Sequence, residues 1–409
     1  MNPDHHADHI NTLAVHAGRE DLVSLGVHAL PLDLSTTYPV VDIADAAADL
    51  DAWTHGAQHT DSNPIYARLF NPTVGRCESA VAQLEGAEAA VAFASGMGAL
   101  TAVLLALQPD RRHVVGVRPL YGTTDHLLAS GLLGVEVTYT SAADVAAAIR
   151  PDTGLVIIES PQNPTVTLVD IAAVAAAAGA IPVLVDNTFA TPVLQQPLKH
   201  GATLVLHSAT KAIGGHGDAM GGFVCCSEDW ASRLRQVRVA TGALLHPLGA
   251  YQLHRGVATL PLRVRAMQEG AAFLAERLAD HSMIERVYYP GLPGQDPDGL
   301  IGRQMLGPGT MLSFDVRGGS VAVRALLASV RLATHAVSLG SVDTLIQHPA
   351  SLTHRIMQVD DRASWGIGEG LVRMSVGLED PTDLWTDISN ALAAASTATS
   401  SQLASSIDE

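Results

Sequence analysis

The sequence predicts an α/β protein: a large domain built on a mostly parallel sheet covered by helices, and a smaller α+β domain after it. Three observations carry that expectation. Short β-rich runs alternate with helical stretches from about residue 64 to 256, and such alternation calls for crossovers between parallel strands with helices on both faces. Beyond residue 257 the order of elements becomes mixed. At 409 residues the chain is also too long for one small core. The expected units are an N-terminal arm over 1–63, a large domain over 64–256 and a C-terminal domain over 257–409.

In the arm, Leu34 to Tyr38 reads as strand-like and Ile43 to Trp53 as a short helix, separated by Pro39 and followed by the polar stretch Thr54 to Asn63. An arm that cannot close its own core is expected to pack on another subunit. In the large domain, Val74, Ala80, Val81 and Leu84 recur at helical spacing and place a helix over Val74 to Glu88. Ala89 to Phe93 is a short strand, and Ser95-Gly-Met-Gly98 opens a helix over Ala99 to Leu107. Further β-rich runs are His113 to Val117, Val135 to Thr140, Leu155 to Glu159, Pro182 to Asp186 and Ala202 to His207. Asp125 to Leu133, Ala142 to Ile149 and Ile171 to Ala178 are helical stretches between them. In the last domain, helix Val264 to His281 precedes strands Glu285 to Tyr289 and Met311 to Val316. Helix Val321 to Val330, strands Arg331 to Val337 and Leu371 to Val376, and helix Leu384 to Ala395 follow. Gly291 to Gly302 is a Gly/Pro/Asp-rich loop, and the Ala/Ser/Thr-rich end from Ala394 to Glu409 is expected to fray.

Composition narrows the class. Hydrophobic content of 47% with 16% charged residues is that of a well-buried globular chain, and no apolar run is long enough for a membrane span. A net charge of −17 disfavours nucleic acid and anionic membrane surfaces as partners. The polar start lacks the basic-then-apolar order of a signal peptide. Cys77, Cys225 and Cys226 cannot make a disulfide framework; together these features suggest a reducing cytoplasm. Cys225 and Cys226 lie in the apolar run Gly222 to Cys226 and read as buried small side chains. His5, His6 and His9 are terminal histidines without a cysteine nearby and read as solvated, so no metal site is expected.

Chemistry concentrates at Leu204 to Gly217. An apolar run ends in His207, Ser208 and Thr210, delivers Lys211, and is followed by Gly214, Gly215 and Gly217. Most lysines are solvated surface cations. Hydroxyls at a strand's end, with glycines that let the backbone approach a ligand, suit a phosphate instead. A lysine partly desolvated beside a phosphate can become the imine-forming amine of a pyridoxal phosphate enzyme. Ser95 to Gly98, between strand and helix, offers backbone N–H groups at a helix N-terminus, an anion site that is weak by itself. Asp186 closes the strand Val183-Leu-Val-Asp, where a carboxylate points into the ligand crevice or caps a helix. Paired with Lys211, it is the natural partner of a protonated pyridine nitrogen.

Read together, the motifs resemble a known family. In order they are Tyr66-Ala-Arg68, Asn71-Pro-Thr73, Ser95-Gly-Met97, Tyr121-Gly122, Glu159 to Pro164, Asp186-Asn-Thr-Phe189, Ser208-Ala-Thr-Lys211, Ser338-Leu-Gly340, His348 to Ser351 and Arg373 to Glu379. The pattern is similar to the Cys/Met-metabolism family of pyridoxal phosphate enzymes, which includes cystathionine γ-synthase, cystathionine γ-lyase, methionine γ-lyase and O-acylhomoserine sulfhydrylase. The resemblance covers nearly the whole chain. It implies fold type I and a homotetramer built as a pair of dimers. It further implies that Lys211 holds the cofactor and shuttles protons, that Asp186 pairs with the pyridine nitrogen, and that Tyr121 stacks on the ring. Gly96, Met97, Ser208 and Thr210 would bind the phosphate. Tyr66 and Arg68 would reach the phosphate of the neighbouring subunit. Arg373 would clamp the substrate carboxylate, assisted by Asn163 and Ser338, because a guanidinium meets a carboxylate with two parallel bonds.

The sequence departs from the family at several points. Thr203 stands where many members have Asp, Ala212 follows the lysine where an aromatic is common, and Thr123 replaces the cysteine of typical methionine γ-lyases. Arg238-Val239 replaces a Lys-Asp pair of those enzymes. Members that handle cystathionine carry acids just before the Tyr-x-Arg tyrosine and just before the Ser-Leu-Gly serine; here those positions are Ile65 and Val337. A buried distal ammonium without counter-charge is costly, whereas a thioether methyl is not. The resemblance therefore implies γ-elimination from methionine or a related sulfur amino acid, a methionine γ-lyase-like activity. Replacement chemistry (a sulfhydrylase or cystathionine γ-synthase), cystathionine γ-lyase activity and a non-catalytic binding protein on the same fold remain the alternatives.

Overall fold

The computed structural model describes residues 9–57, 64–355, 362 and 365–405; His5, His6, residues 58–63 of the polar stretch and the last four residues of the chain lie outside them. Seven strands form the first sheet: β1 (Ala89–Phe93), β2 (His113–Val117), β3 (Glu136–Thr140), β4 (Thr153–Glu159), β5 (Val183–Asp186), β6 (Leu204–Ser208) and β7 (Gly222–Cys226), in the order β1-β7-β6-β5-β4-β2-β3. β2 to β6 run parallel, and β7 alone is reversed, antiparallel to both β6 and β1. Every residue of β1, β2, β4 and β7 is buried, as expected of strands covered on both faces.

Local signals explain where the helices begin. Asn71 caps helix Pro72–Glu85 by accepting from the Thr73 and Val74 amides, and the helix ends at Gly86 in the left-handed region. Helix Gly96–Leu105 starts three residues earlier than the apolar pattern implied, because the Ser95 hydroxyl accepts from Gly98 N at 3.0 Å. Helix Gly122–Ala129 likewise starts before Asp125 and ends before Leu133. Ala142 to Ile149 is a short 3₁₀ turn, Ala142–Asp144, followed by one α turn, Val145–Ala148. Helices Glu228–Thr241 and Pro247–Val257 complete the covering layers and were not foreseen, since their apolar positions are sparse. Cys225 and Cys226 are free and buried, on opposite faces of β7.

The second sheet holds β8 (Ile284–Tyr288), β9 (Met311–Val316), β10 (Thr334–His335), β11 (Leu345–Gln347) and β12 (Leu371–Ser375), in the order β10-β11-β12-β9-β8. Helices Leu260–Ala279, Gly319–Ser329 and Pro381–Ser405 pack on it around Leu274, Phe314, Leu326, Met374 and Ile388. Two expectations need correction. The segment expected to be a strand over Arg331 to Val337 pairs only at Thr334–His335, because the Asp387 carboxylate draws in the amides of Arg331 and Leu332 at 2.8 and 2.9 Å. The tail expected to fray from Ala394 stays helical to Ser405. Within that tail Ala395 is buried in the same apolar cluster, and the helix continues from the part that packs on helix Gly319–Ser329.

The arm is anchored at a few points. Leu34 to Tyr38 is not a strand; one antiparallel bridge, Thr37 to Tyr66, joins it to the body. Helix Ile43–Thr54 is capped by the Asp42 carboxylate. Val23, Val41 and Ile43 are 92%, 95% and 84% exposed. No helix among the described residues is long and apolar enough to cross a membrane.

Candidate active site

A cleft of about 400 Å³ opens at the carboxyl ends of the parallel strands, where α/β sheets place their ligands. Lys211 follows β6 by one turn, its amide bonded to Ser208 O at 3.1 Å. Its ammonium donates to Ser338 Oγ at 2.7 Å. Burial, and then the Arg373 charge, lower the Lys211 pKa to about 8, so the amine loses its proton far more readily than a surface lysine. Ser338 itself has φ +100°, a conformation that costs a non-glycine residue energy and that marks a constrained site.

One wall suits a phosphate. The N-terminus of helix Gly96–Leu105 meets the end of β6 here, with Ser95, Gly96, Met97, Ser208 and Thr210 all lining the cleft. Gly96 must be glycine: a Cβ there would lie 2.9 Å from Ser208 Cβ. The Thr210 hydroxyl is held by the Gly221 amide at 3.1 Å.

The floor carries two carboxyls from neighbouring strands, Glu159 and Asp186, aligned in register. Asp186 Oδ1 accepts from Thr188 N at 3.0 Å. Burial raises its pKa, while Thr188 and His207 pull it back down. Glu159 is pushed well above the ordinary carboxylate range by burial and then by Asp186. It accepts the Tyr121 amide at 2.5 Å, and so fixes the residue whose ring lines the cleft.

Opposite lies Arg373 on β12. Its Nη1 donates to Asn163 Oδ1 at 3.0 Å and its Nη2 to Ser338 O at 2.8 Å. With the Gln347 amide turned so that its oxygen faces the guanidinium, that oxygen accepts from Nη2 at 2.9 Å and Nε at 3.1 Å. Burial lowers the Arg373 pKa to about 10. Among the described residues no carboxylate pairs with it. A buried cation held only by neutral partners is a receptor for an anion.

Ten of the twelve residues expected from the sequence thus meet in one cleft: Gly96, Met97, Tyr121, Asn163, Asp186, Ser208, Thr210, Lys211, Ser338 and Arg373. Tyr66 and Arg68 do not. Arg68 Nη1 donates to Val239 O at 2.9 Å and its guanidinium lies 5.5 Å from the Tyr66 ring, away from the cleft of their own chain. Sequence reasoning did not single out Glu159, Thr188 or Gln347. Glu159 carries the signal that marked Asp186, a carboxylate closing an apolar strand.

Residues 11–393 match the family model described as Cys/Met metabolism PLP-dependent enzyme. The chain belongs to that family. An L-methionine γ-lyase of Brevibacterium sandarakinum is 56% identical over 94% of this chain and 97% of its own length. A cystathionine γ-synthase of Xanthomonas oryzae pv. oryzae, solved with aminoacrylate and cysteine, is 35% identical with a TM-score of 0.87, over 96% of this chain and 99% of that one. A protein of Micromonospora echinospora, described as a cystathionine γ-lyase and in its apo form as a methionine γ-lyase, superposes with TM-scores of 0.84 and 0.82 at 39% and 38% identity. Both of its forms cover 94% of this chain and 99% of their own. The cofactor of this family is pyridoxal phosphate, and the cleft fits it. The desolvated Lys211, the half-buried Asp186 carboxyl, which pairs with no cation among the described residues, and the helix N-terminus closed by Gly96 supply the amine, the acid and the anion site it needs.

Proposed function

We propose that the chain is a pyridoxal phosphate-dependent carbon–sulfur lyase that converts methionine and water to methanethiol, 2-oxobutanoate and ammonia. The carrying observation is the charge pattern of the cleft. Among the described residues it holds one cation for an α-carboxylate that no acid neutralises, Arg373, and its two acids, Glu159 and Asp186, accept from Tyr121 N and Thr188 N. The position where an acid would meet cystathionine's distal end is Val337, which lines the cleft.

Pyridoxal phosphate, when bound, draws electrons from the α and β carbons of an amino acid, which lets a γ substituent depart. The chain's residues do the rest. Gly96 and Met97 amides with Ser208 and Thr210 hydroxyls would bind the phosphate, and Asp186 would meet the ring nitrogen. Lys211 would hold the cofactor and, with its amine free, would take the Cα proton at Nζ; Ser338 Oγ is its resting partner 2.7 Å away. Arg373 and Asn163 fix the substrate carboxylate. Tyr121, whose amide Glu159 holds, would cover the cofactor ring and supply a proton to the departing sulfur. Purified holoprotein incubated with methionine, homocysteine, cystathionine or O-acetylhomoserine, with and without sulfide, is expected to give its highest kcat/KM for 2-oxo acid release with methionine. Stronger turnover of cystathionine, or product only from O-acetylhomoserine with sulfide, would sink the assignment. Val337→Glu should move the kcat/KM ratio about tenfold towards cystathionine, or about 1.4 kcal/mol; an unchanged ratio would show that Val337 does not meet the distal end.

The active form proposed is a cytoplasmic homotetramer with sites shared across a dimer interface, the arm of residues 1–63 packing on the partner. This is supported by Tyr66 and Arg68 lying outside their own cleft and by the exposed apolar side chains of the arm. Arg68→Ala should weaken cofactor binding by roughly ten- to a hundredfold, the loss of one charge-assisted bond. Mixing inactive Arg68→Ala and Lys211→Ala chains should restore some turnover, because some sites then combine intact halves. Verified subunit exchange without recovered activity would exclude a shared site.

A further inference from the structure

A second buried arginine lies next to the lysine turn without lining the cleft. Arg263, in the first turn of helix Leu260–Ala279, is only 4% exposed. Two effects work against a guanidinium there. Burial lowers its pKa to about 10, which still leaves it charged at neutral pH. The first turn of a helix also disfavours a cation, because the positive end of the dipole lies there. Among the described residues no carboxylate pairs with it. Backbone carbonyls offset these costs instead. Nη1 donates to Ala212 O at 2.7 Å, and Nη2 donates to Gly256 O at 2.6 Å and to Ile213 O at 3.3 Å. Nε donates to Thr259 Oγ1 at 3.1 Å.

Ala212 and Ile213 are the two residues that follow Lys211. The chain makes a helical turn there: Gly214 N donates to Ala209 O at 2.9 Å and Gly215 N to Lys211 O at 2.8 Å. The last carbonyls of such a turn find no partner within it, and Arg263 takes two of them. A cation suits that end of a helical turn, as it does not suit the start of its own helix. The third carbonyl, Gly256 O, belongs to the end of helix Pro247–Val257, whose backbone presses on the lysine turn: a Cβ at Gly256 would lie 2.5 Å from both Ile213 O and Gly214 O. The turn is also tied to the segment after Ser338, where Val342 N donates to Gly215 O at 2.9 Å. One guanidinium thus joins the backbone around Lys211 to two helices outside the cleft, while the Lys211 amine rests 2.7 Å from Ser338 Oγ.

We propose that Arg263 is a positioning residue for Lys211: its fork closes the open end of the lysine turn and so fixes where the amine sits. This rests on the reading that Lys211 takes the Cα proton. Arg263→Gln, too short to join the turn to both helices, is expected to lower kcat for methionine, per bound cofactor, by about ten- to a hundredfold, the cost of displacing a reacting group by about 1 Å. KM should stay within about threefold of wild type, because Arg373 and Asn163 are untouched. A purely structural role would instead lower the yield or melting temperature of the holoprotein and leave kcat per bound cofactor unchanged. That result would overturn the proposal, as would a loss carried by KM alone. Should Arg263→Gln fail to fold, Arg263→Lys takes its place. It keeps the buried charge, but one ammonium cannot reproduce the fork, so kcat should fall several-fold, and wild-type kcat is again decisive against the proposal. Lys211→Ala separates the two readings: if it too keeps wild-type turnover, the role of Lys211 fails, whereas a loss confined to Lys211→Ala removes only the role of Arg263.

Discussion

Lys211→Ala is expected to lower methionine turnover by more than about a thousandfold, since on the proposed roles one change removes both the anchoring amine and the base for the Cα proton. No other side chain can substitute. The sequence has only two lysines, and Lys199, in the turn Pro197–His200, does not line the cleft. The variant should still take up pyridoxal phosphate, because Asp186, Ser208, Thr210 and the helix at Gly96 remain. Borohydride reduction of the wild-type holoprotein should fix the cofactor on the Lys211 peptide and on no other, as read by mass spectrometry; in the variant nothing should be fixed. Turnover within tenfold of wild type would end the assignment of Lys211.

Arg373→Ala comes next in size. Truncating one partner of a buried, hydrogen-bonded charge pair costs about 2–5 kcal/mol, so kcat/KM for methionine should fall by roughly a hundredfold or more, most of it in KM. Arg373→Lys should restore little, because a point charge cannot reproduce the fork that now engages Asn163, Ser338 and Gln347. Deletion of the substrate's α-carboxylate should then matter far less in the variant than in the wild type. An unchanged KM in Arg373→Ala would mean that the carboxylate binds elsewhere.

Where the chain's local signals and its burial agree, the fold was readable. The strands His113–Val117 and Met311–Val316 and the helix Ile171–Ala178 were expected with the bounds they have, because each is an apolar run stopped by turn residues. Where a distant group decides, it was not: nothing near Arg331 announces that Asp387 will claim its amide, or that the Ala/Ser/Thr-rich tail will be held helical against Leu326. The cleft residues were readable because their chemistry is concentrated at strand ends. Gln347 and Thr188 were not, since an amide or hydroxyl that orients a charged neighbour carries no signature until the neighbour's place is known.

The single reversed strand, β7, has a mechanical effect on the reactive amine. In a run of parallel strands the chain must leave the ligand edge after each strand and return to the far edge through a crossover. After β6 it does not leave. It turns back at once into β7, whose Gly222 pairs with Ser208 on one side and with Phe93 of β1 on the other. The segment that carries Lys211 is therefore a loop clamped at both ends to adjacent strands of one rim, with its feet about 5 Å apart. A side chain at Gly222 would sit 2.2 Å from Ser95 O, so the clamp also sets the spacing between the lysine loop and the turn that starts the phosphate helix. Lengthening or shortening any of the crossover helices leaves that spacing untouched. The reach of the amine is thus decoupled from the size of the rest of the domain.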